Sequence, residues 1–463
     1  MKSQNNRGES KPDLIIKGGT VLTMAKGQSP LHDATVLISG GKIIDVLDAD
    51  HRGKRPEAGT EIIDARDAIV MPGMINCHTH LAMTLFRGIA DDLPLKKWLF
   101  EKIFPLEAKV LNPETVYWGS LLGCLELIAS GTTCFADGYF FEEATLKAVQ
   151  KAGLRSLLSQ GVIDFAAPGV DDPRKNLIHA RSFIEQYSGL SKLIRPGIFC
   201  HSALTCSGST LQDAWEISRE FGVPFQIHLS ETKEEVDEIM VKSVQRPVFY
   251  LDQLGILDQN LIAAHSVYLD KDEINCLKQR DVKVVHVPES NMKLGCGIAK
   301  ISEMICIGLQ PGLGTDGCSS NNNLDLFQEM DSAAKLSKVA ELDPVALSAK
   351  NVLKMATIWG AGILGLQDQI GSIEKGKQAD IIVIDLNSPH LCPIYDPASI
   401  LVYSANGSDV KDVIVNGKIL MKDRCFMTLD PAQIMAKVKD LSTKIIGAQG
   451  APVHKSKRAA IRL

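Results

Sequence analysis

The chain has 463 residues, 45% of them hydrophobic and 23% charged, with a formal net charge of −5. That length suits one large α/β domain of roughly 250 residues or more plus a smaller one. The mild acidity argues against a general nucleic-acid or membrane-surface binder. Eleven cysteines, an odd number with no Cys-x-x-Cys, speak against a disulfide framework or a zinc ribbon. With no signal-peptide pattern and no apolar run of membrane length, the expected setting is a reducing cytoplasm.

Residues 1–12 are polar and are expected to be disordered. The next stretch reads as small and all-β. Residues 13–23 suggest two short strands around Gly18-Gly19, residues 34–47 a hairpin about Gly40-Gly41, and residues 61–64 a further strand. An apolar run, Ala68-Ile-Val-Met71, then leads through Pro72-Gly73 into Met74-Ile-Asn-Cys-His78-Thr-His80. If that segment is extended, His78 and His80 share a face, because side chains alternate along a strand. Two imidazoles so placed can hold a divalent metal.

From here strands and helices alternate. Helices are predicted over 95–110, 113–130, 142–152, 176–187, 210–221, 233–240, 247–254, 271–279 and 301–307, with Asn112 capping the second and Pro113 at its first turn. Strands are predicted over 131–137, 156–162, 194–201, 224–229, 261–265, 283–287 and 310–316. Alternation without doubling back implies parallel β/α units, close to eight of them. The fold class is therefore α/β. A (β/α)8 barrel of the TIM type is the first choice and a doubly wound open sheet the second. A helix over 346–361 follows, and residues 371–385 and 410–420 return to β-structure with glycine turns. The two terminal segments, 13–68 and 371–430, are expected to meet in one small β-sandwich into which a barrel of residues 69–370 is inserted. A helix over 431–445 and a basic tail to residue 463 close the chain.

Active sites of such barrels lie at the C-terminal ends of the strands. The predicted strands end in His78, His80, His201, His228, His265 and Asp316, which takes up five of the eleven histidines. One strand-end histidine is ordinarily structural; five on one rim with an aspartate form a constellation. Zinc-type sites use three protein ligands and an open position. His78, His80 and His228 offer three nitrogens, and Asp316 adds a carboxylate. One divalent ion per chain is expected, Zn2+ first, with Fe2+ and Mn2+ compatible with the same donors. Glu231, just past the His228 strand, reads as a proton shuttle; as an acid preceding Thr232-Lys-Glu-Glu it also suits a helix N-terminus. Gly312-Leu-Gly-Thr-Asp-Gly317 fits Gly-x-Gly-x-x-Gly, but a loop follows where a dinucleotide site needs a helix. Its glycines are read as letting the backbone pass close to metal and substrate.

Pro72-Gly-Met-Ile-Asn-Cys-His78-Thr-His80, Ile227-His228-Leu-Ser-Glu231-Thr, Ala263-Ala-His265, Gly314-Thr-Asp316-Gly and Gly371-Ser-Ile-Glu-Lys-Gly-Lys-Gln-Ala-Asp380, in this order, resemble the amidohydrolase superfamily, specifically its cytosine/adenosine-type deaminases and chlorohydrolases. No lysine ends the His201 strand, so the resemblance is to the one-metal branch. Leu81-Ala-Met-Thr-Leu-Phe-Arg-Gly-Ile-Ala-Asp-Asp-Leu93, Trp98-Leu, Pro105-Leu-Glu107 and Ser290-Asn-Met-Lys-Leu-Gly295 are similar to the deaminases of 5-methylthioadenosine and S-adenosylhomocysteine within it.

The resemblance implies hydrolytic deamination of an adenosine-type nucleoside (5-methylthioadenosine, S-adenosylhomocysteine, 5′-deoxyadenosine or adenosine) to the inosine analogue and ammonia. In that scheme Asp316 takes the proton of the attacking water, Glu231 protonates N1, and His265 orients the reacting centre. Glu107 would bind the ribose hydroxyls, His201 the nucleoside, and Arg174 the amino-acid end of homocysteine. Trp98 either covers the ligand or packs in the core. The family's second arginine position is Gln160 here, which favours neutral 5′ substituents. Deamination of another purine, a pyrimidine or a pterin, hydrolysis of a triazine, and a metal-free scaffold are the alternatives, the last opposed by the intact ligand set. A small-molecule nucleoside as partner, no nucleic acid, no membrane, and assembly as a homo-oligomer complete the expectation.

Overall fold

The computed structural model describes residues 11–49 and 59–449. All but the last two residues of the N-terminal stretch expected to be disordered lie outside these, as does the basic C-terminal end.

Eight parallel strands run in sequence order around the centre: β6 (Met74–Thr79), β7 (Thr132–Tyr139), β8 (Arg155–Val162), β9 (Ile194–Ser202), β10 (Phe225–Leu229), β11 (Leu261–His265), β12 (Lys283–His286) and β13 (Gly312–Leu313). Nearly every residue in them is buried, as strands covered by helices on one side and packed inside a barrel on the other must be. The first and last strands meet, which makes this a closed barrel rather than an open sheet. The Asp316 amide donates to the His78 carbonyl at 3.0 Å, and the Asn76 side chain bonds Thr315 Oγ1 at 2.8 Å and the Thr315 amide at 3.1 Å. The seam is tight because its residues are small. A Cβ on Gly312 would lie 2.7 Å from Cys77 Sγ, and one on Gly314 2.8 Å from His78 Cβ. The predicted strand over 310–316 shortens to two residues, since the chain turns away through Asp316 at φ 62°.

The terminal segments form a second sheet from β1 (Leu14–Val21), β2 (Leu31–Ser39), β3 (Lys42–Leu47), β4 (Glu61–Asp64) and β5 (Ala68–Pro72) at one end of the chain, and β14 (Ile381–Asp385), β15 (Val410–Val415), β16 (Lys418–Lys422) and β17 (Cys425–Phe426) at the other. A bridge between Lys42 and Gln378 bends the sheet back on itself, and Ile16, Val36, Ile38, Ile381, Val383 and Ile414 share its core. A buried ion pair, Arg155 Nε to Asp380 Oδ2 at 2.7 Å, ties it to the barrel.

Several elements differ from expectation. Ala68–Pro72 belongs to the terminal sheet, between β1 and β14, and not to the barrel. All five of its residues are buried, and an apolar run of that kind reads the same in either sheet. Residues 13–23 form one strand with bulges at Gly18-Gly19 rather than two strands and a turn. The helical stretch over 95–110 is continuous, with a π-helical centre at Trp98–Ile103. Leu326–Glu341 is a helix absent from the sequence reading, and 346–361 divides into Ala349–Met355 and Ile358–Ile363. Among the described residues no helix is long and apolar enough to cross a membrane.

Candidate active site

The C-terminal ends of the barrel strands bring His78, His80, His228 and Asp316 together. All four are buried, and one ligand atom from each lies within 4.8 Å of the others. His228 Nε2 stands 3.2 Å from His78 Nε2, and Asp316 Oδ1 stands 3.5 Å from His78 Nε2 and 3.1 Å from His80 Nε2. His80 Nδ1 donates to the Gly138 carbonyl at 2.7 Å, which fixes the ring so that Nε2 faces the cluster. Asp316 Oδ2 accepts from the hydroxyls of Ser290 and Ser320, each at 2.7 Å, leaving Oδ1 to the cluster.

This donor set fits one divalent cation. Burial holds His78 down to about 4, and burial with the surrounding imidazoles holds His228 well below the ordinary histidine range, so both rings are in the neutral, ligating form. Burial works against the ionised Asp316, but the hydrogen bonds from His78 and His80 outweigh it and keep the carboxyl well below its usual range. His80 moves up to about 9, burial being outweighed by the Asp316 carboxylate, so a proton and a metal ion are alternatives at its Nε2.

The backbone around the cluster is strained. Ser230, His265, Ser266 and Asp316 have φ of 50°, 69°, 50° and 62°, a region that residues with side chains rarely adopt and that concentrates at functional sites.

Glu231 stands beside the cluster with its side chain only 12% exposed, its Oε2 3.9 Å from His265 Nε2. Burial pushes its carboxyl upward against the pull of His265. Cys296 Sγ donates to its Oε1 at 3.5 Å, and its amide and that of Ser230 donate to Glu235 at 2.7 and 3.0 Å. His265 Nδ1 donates to Asn291 Oδ1 at 2.9 Å, which leaves Nε2 facing inward.

A cavity of about 450 Å³ opens over these groups, within the size range of small-molecule pockets. Trp98, Glu107, His201, Glu231, His265 and Asp316 all line it. Glu107 is buried and accepts a hydrogen bond from the Tyr139 hydroxyl; burial pushes its carboxyl up to about 7, with Tyr139 opposing. His201 Nδ1 bonds Thr205 Oγ1 at 2.9 Å, and its ring centre lies 5.0 Å from that of His228. Trp98 faces the cavity and is also buried in a cluster with Phe86, Ile103 and Leu106.

Arg174 is not brought in. It sits on the turn Pro173–Lys175 with its guanidinium 88% exposed and held by Asp172, two residues away, at 2.8 Å. Gln160 also turns aside, accepting from the Glu142 amide at 3.3 Å, and is not part of the cavity wall. Among the described residues no arginine lines the cavity. Its cations are Lys96, paired with Glu238 at 2.9 Å, and Lys233, and Glu234 stands beside them.

Tyr139, Glu235, Asn291 and Cys296 are site neighbours the sequence reading did not single out. Glu235 had a signal: Thr232-Lys-Glu-Glu235 is a Thr-x-x-Glu helix start, and Thr232 does accept from the Glu235 amide at 3.1 Å.

Residues 69–420 match the amidohydrolase family, and with the closed barrel and its His/His/His/Asp metal site this chain belongs to that family. It is 44% identical over 441 residues to the 5-methylthioadenosine/S-adenosylhomocysteine deaminase 1 of Syntrophus aciditrophicus, covering 95% of this chain and 99% of that one. It is 42% identical over 435 residues to the 5′-deoxyadenosine deaminase of Methanosarcina mazei, covering 94% and 98%. The crystal structure of an adenosine deaminase from Xanthomonas campestris with bound zinc matches with a TM-score of 0.92 at 35% identity, covering 95% of this chain and 100% of that one.

Proposed function

We propose that this chain is a metal-dependent aminohydrolase that replaces the 6-amino group of adenosine-type nucleosides with oxygen and releases ammonia. One observation carries the reading: a largely buried carboxyl group, Glu231, stands beside a four-donor metal cluster at the base of a nucleoside-sized cavity. The relatives named as adenosine-type deaminases support it.

A divalent ion held by His78, His80, His228 and Asp316, zinc by the precedent of the Xanthomonas structure, supplies the Lewis acidity that makes water a nucleophile at neutral pH. Asp316 accepts a proton from the water as its oxygen bonds to C6. Glu231, whose burial favours the protonated form, delivers a proton to N1. His265, with Nδ1–H committed to Asn291, offers Nε2 as an acceptor that orients the new hydroxyl. The proton on Asp316 passes to the amino group, the C6–N bond breaks, ammonia leaves, and the hydroxyl proton returns to Glu231. The product keeps C6=O and N1–H, and both carboxyl groups end as they began.

Glu107, paired with Tyr139, is assigned to the ribose hydroxyls, and His201 to the nucleoside face. The favoured substrates are adenosines with a neutral 5′ substituent, such as 5-methylthioadenosine and 5′-deoxyadenosine. A homocysteine carboxylate would meet Glu234 and Glu238 at the cavity wall, with Lys96 already engaged by Glu238, Lys233 as the other cation, and no arginine among the described residues. Ultraviolet assays of the zinc-loaded protein with 5-methylthioadenosine, 5′-deoxyadenosine, adenosine and S-adenosylhomocysteine test this. The expected order of kcat/KM puts the two neutral substrates above S-adenosylhomocysteine; no turnover of any of the four would overturn the assignment.

A further inference from the structure

Two backbone amides beside the proposed proton shuttle are held by a side chain that the reaction above does not use. Glu235 is buried in the first turn of the helix Lys233–Ser243. Its Oε1 accepts from the Ser230 amide at 3.0 Å and its Oε2 from the Glu231 amide at 2.7 Å. An ordinary capping box sends the third-position glutamate back only to the amide of the cap. The helix Lys271–Gln279 does this: Asp270 accepts from the Glu273 amide at 2.9 Å, and Glu273 accepts from the Asp270 amide at 3.0 Å. At Thr232 the first half is kept, with Thr232 Oγ1 accepting from the Glu235 amide at 3.1 Å. The Glu235 carboxyl group, however, reaches past the cap to the two residues before it.

Those two residues need holding. Ser230 sits at φ 50°, a conformation that a residue with a side chain keeps only where its surroundings impose it. The Ser230 carbonyl accepts from the Val267 and Tyr268 amides at 3.1 and 2.9 Å, and the other end of the same peptide group, the Glu231 N–H, goes to Glu235. The peptide that leads into Glu231 is thus fixed at both ends, and the Glu231 side chain enters the cavity with Oε2 3.9 Å from His265 Nε2. We infer that Glu235 is a positioning residue for proton transfer: by taking both amides it holds the Ser230–Glu231 turn and aims the Glu231 carboxyl group at the reacting centre. Glu235 moves no proton itself; it acts through Glu231.

The inference rests on the shuttle role proposed for Glu231. Its test uses the full, zinc-loaded chain with Glu235→Gln, which keeps one acceptor, and Glu235→Leu, which keeps none. The expected result is a graded fall in kcat for 5′-deoxyadenosine, reaching about 100-fold in Glu235→Leu and smaller in Glu235→Gln, with KM and zinc content little changed. A double-mutant cycle separates positioning from general support of the fold. In a Glu231→Gln background either Glu235 replacement should cost nothing further, whereas a purely structural role would cost the same factor again. A second readout needs no turnover: amide hydrogen exchange of the segment 228–232, followed by mass spectrometry, should be about tenfold faster or more in Glu235→Leu. An unchanged kcat in both variants, full additivity with Glu231→Gln, or unchanged exchange would each overturn the proposal. If Glu235→Leu does not fold, Glu235→Gln carries the same cycle and the same exchange measurement. A normal kcat in Glu231→Gln alone marks the other failure, that of the shuttle role itself, and this inference falls with it.

Discussion

His78 Nε2 and His228 Nε2 lie 3.2 Å apart, although the two residues are 150 positions apart in the chain. At that distance either one ring donates its N–H to the other or both turn lone pairs to a shared cation, and the second arrangement suits the four-donor cluster they belong to.

Removing one of the two should remove the ion. His228→Ala is expected to purify without stoichiometric zinc by elemental analysis, and its melting temperature should not respond to added zinc. In the wild type, binding to the folded state alone adds about 2.7 kcal/mol of stability at a free zinc concentration of 100 Kd. A zinc-dependent shift of the same size in the variant would reject His228 as a ligand.

Glu231→Gln separates binding from chemistry. Zinc content should stay at the wild-type level, KM should change little, and kcat should fall about 10²–10⁴-fold, the usual worth of a positioned proton donor. A near-normal kcat would remove Glu231 from proton transfer.

Glu107 predicts a pH dependence with a definite sign. Burial raises its pKa to about 7, so it is neutral below that pH and a carboxylate above it. The carboxylate accepts hydrogen bonds from two ribose hydroxyls more strongly than the neutral acid, which gives up part of its acceptor capacity to its own proton. The ratio of kcat/KM for 5′-deoxyadenosine to that for its 2′,3′-dideoxy analogue should therefore rise as pH increases through about 7. Taking the ratio cancels the titration of Glu231, and Glu107→Gln should flatten it.

The Lys96–Glu238 pair predicts a change in selectivity. Lys96 is 54% exposed at the cavity mouth and is engaged by Glu238. Glu238→Gln frees the ammonium and should raise the S-adenosylhomocysteine to 5-methylthioadenosine ratio of kcat/KM by about two- to fivefold, the scale of an exposed ion pair. An unchanged ratio would place the homocysteine tail elsewhere.

Gly314→Ala tests the barrel seam. The new Cβ would sit 2.8 Å from His78 Cβ and 3.0 Å from the His78 amide nitrogen, backbone that cannot swing away. Overpacking of this kind costs about 1–3 kcal/mol, so the melting temperature and the zinc affinity should fall together.

What could be read from the sequence divides by the range of the interaction. The helices Glu142–Ala152 and Asn176–Tyr187 and the strand Leu261–His265 are stated by local pattern and fall where it puts them. That His78, His80, His228 and Asp316 would meet was legible because histidine is scarce and the barrel topology says where strand ends go. Residues 69–72 were misplaced into the barrel because a fully buried strand carries no mark of which sheet buries it. Leu326–Glu341 did carry a signal, since Leu326, Phe327, Met330, Ala333, Ala334 and Ser337 form a buried helical stripe behind the Asp325 cap. Arg174 was assigned by resemblance alone, and its guanidinium instead pairs with Asp172, two residues away. The Tyr139–Glu107 contact joins residues that look ordinary alone, and only tertiary placement pairs them.

The barrel closes between its first and last strands, and the same two strands deliver His78, His80 and Asp316. Asn76 and Thr315, which stitch that seam, are 239 positions apart, among the most costly contacts for a folding chain to make. The metal site is thus absent until synthesis has passed residue 316 and the ring has shut. An unfinished or locally opened barrel has half a ligand set on each side of the gap. A divalent ion held there would act as a latch on the finished ring, and slower hydrogen exchange at the Thr315 and Asp316 amides on adding zinc would record the latch engaging.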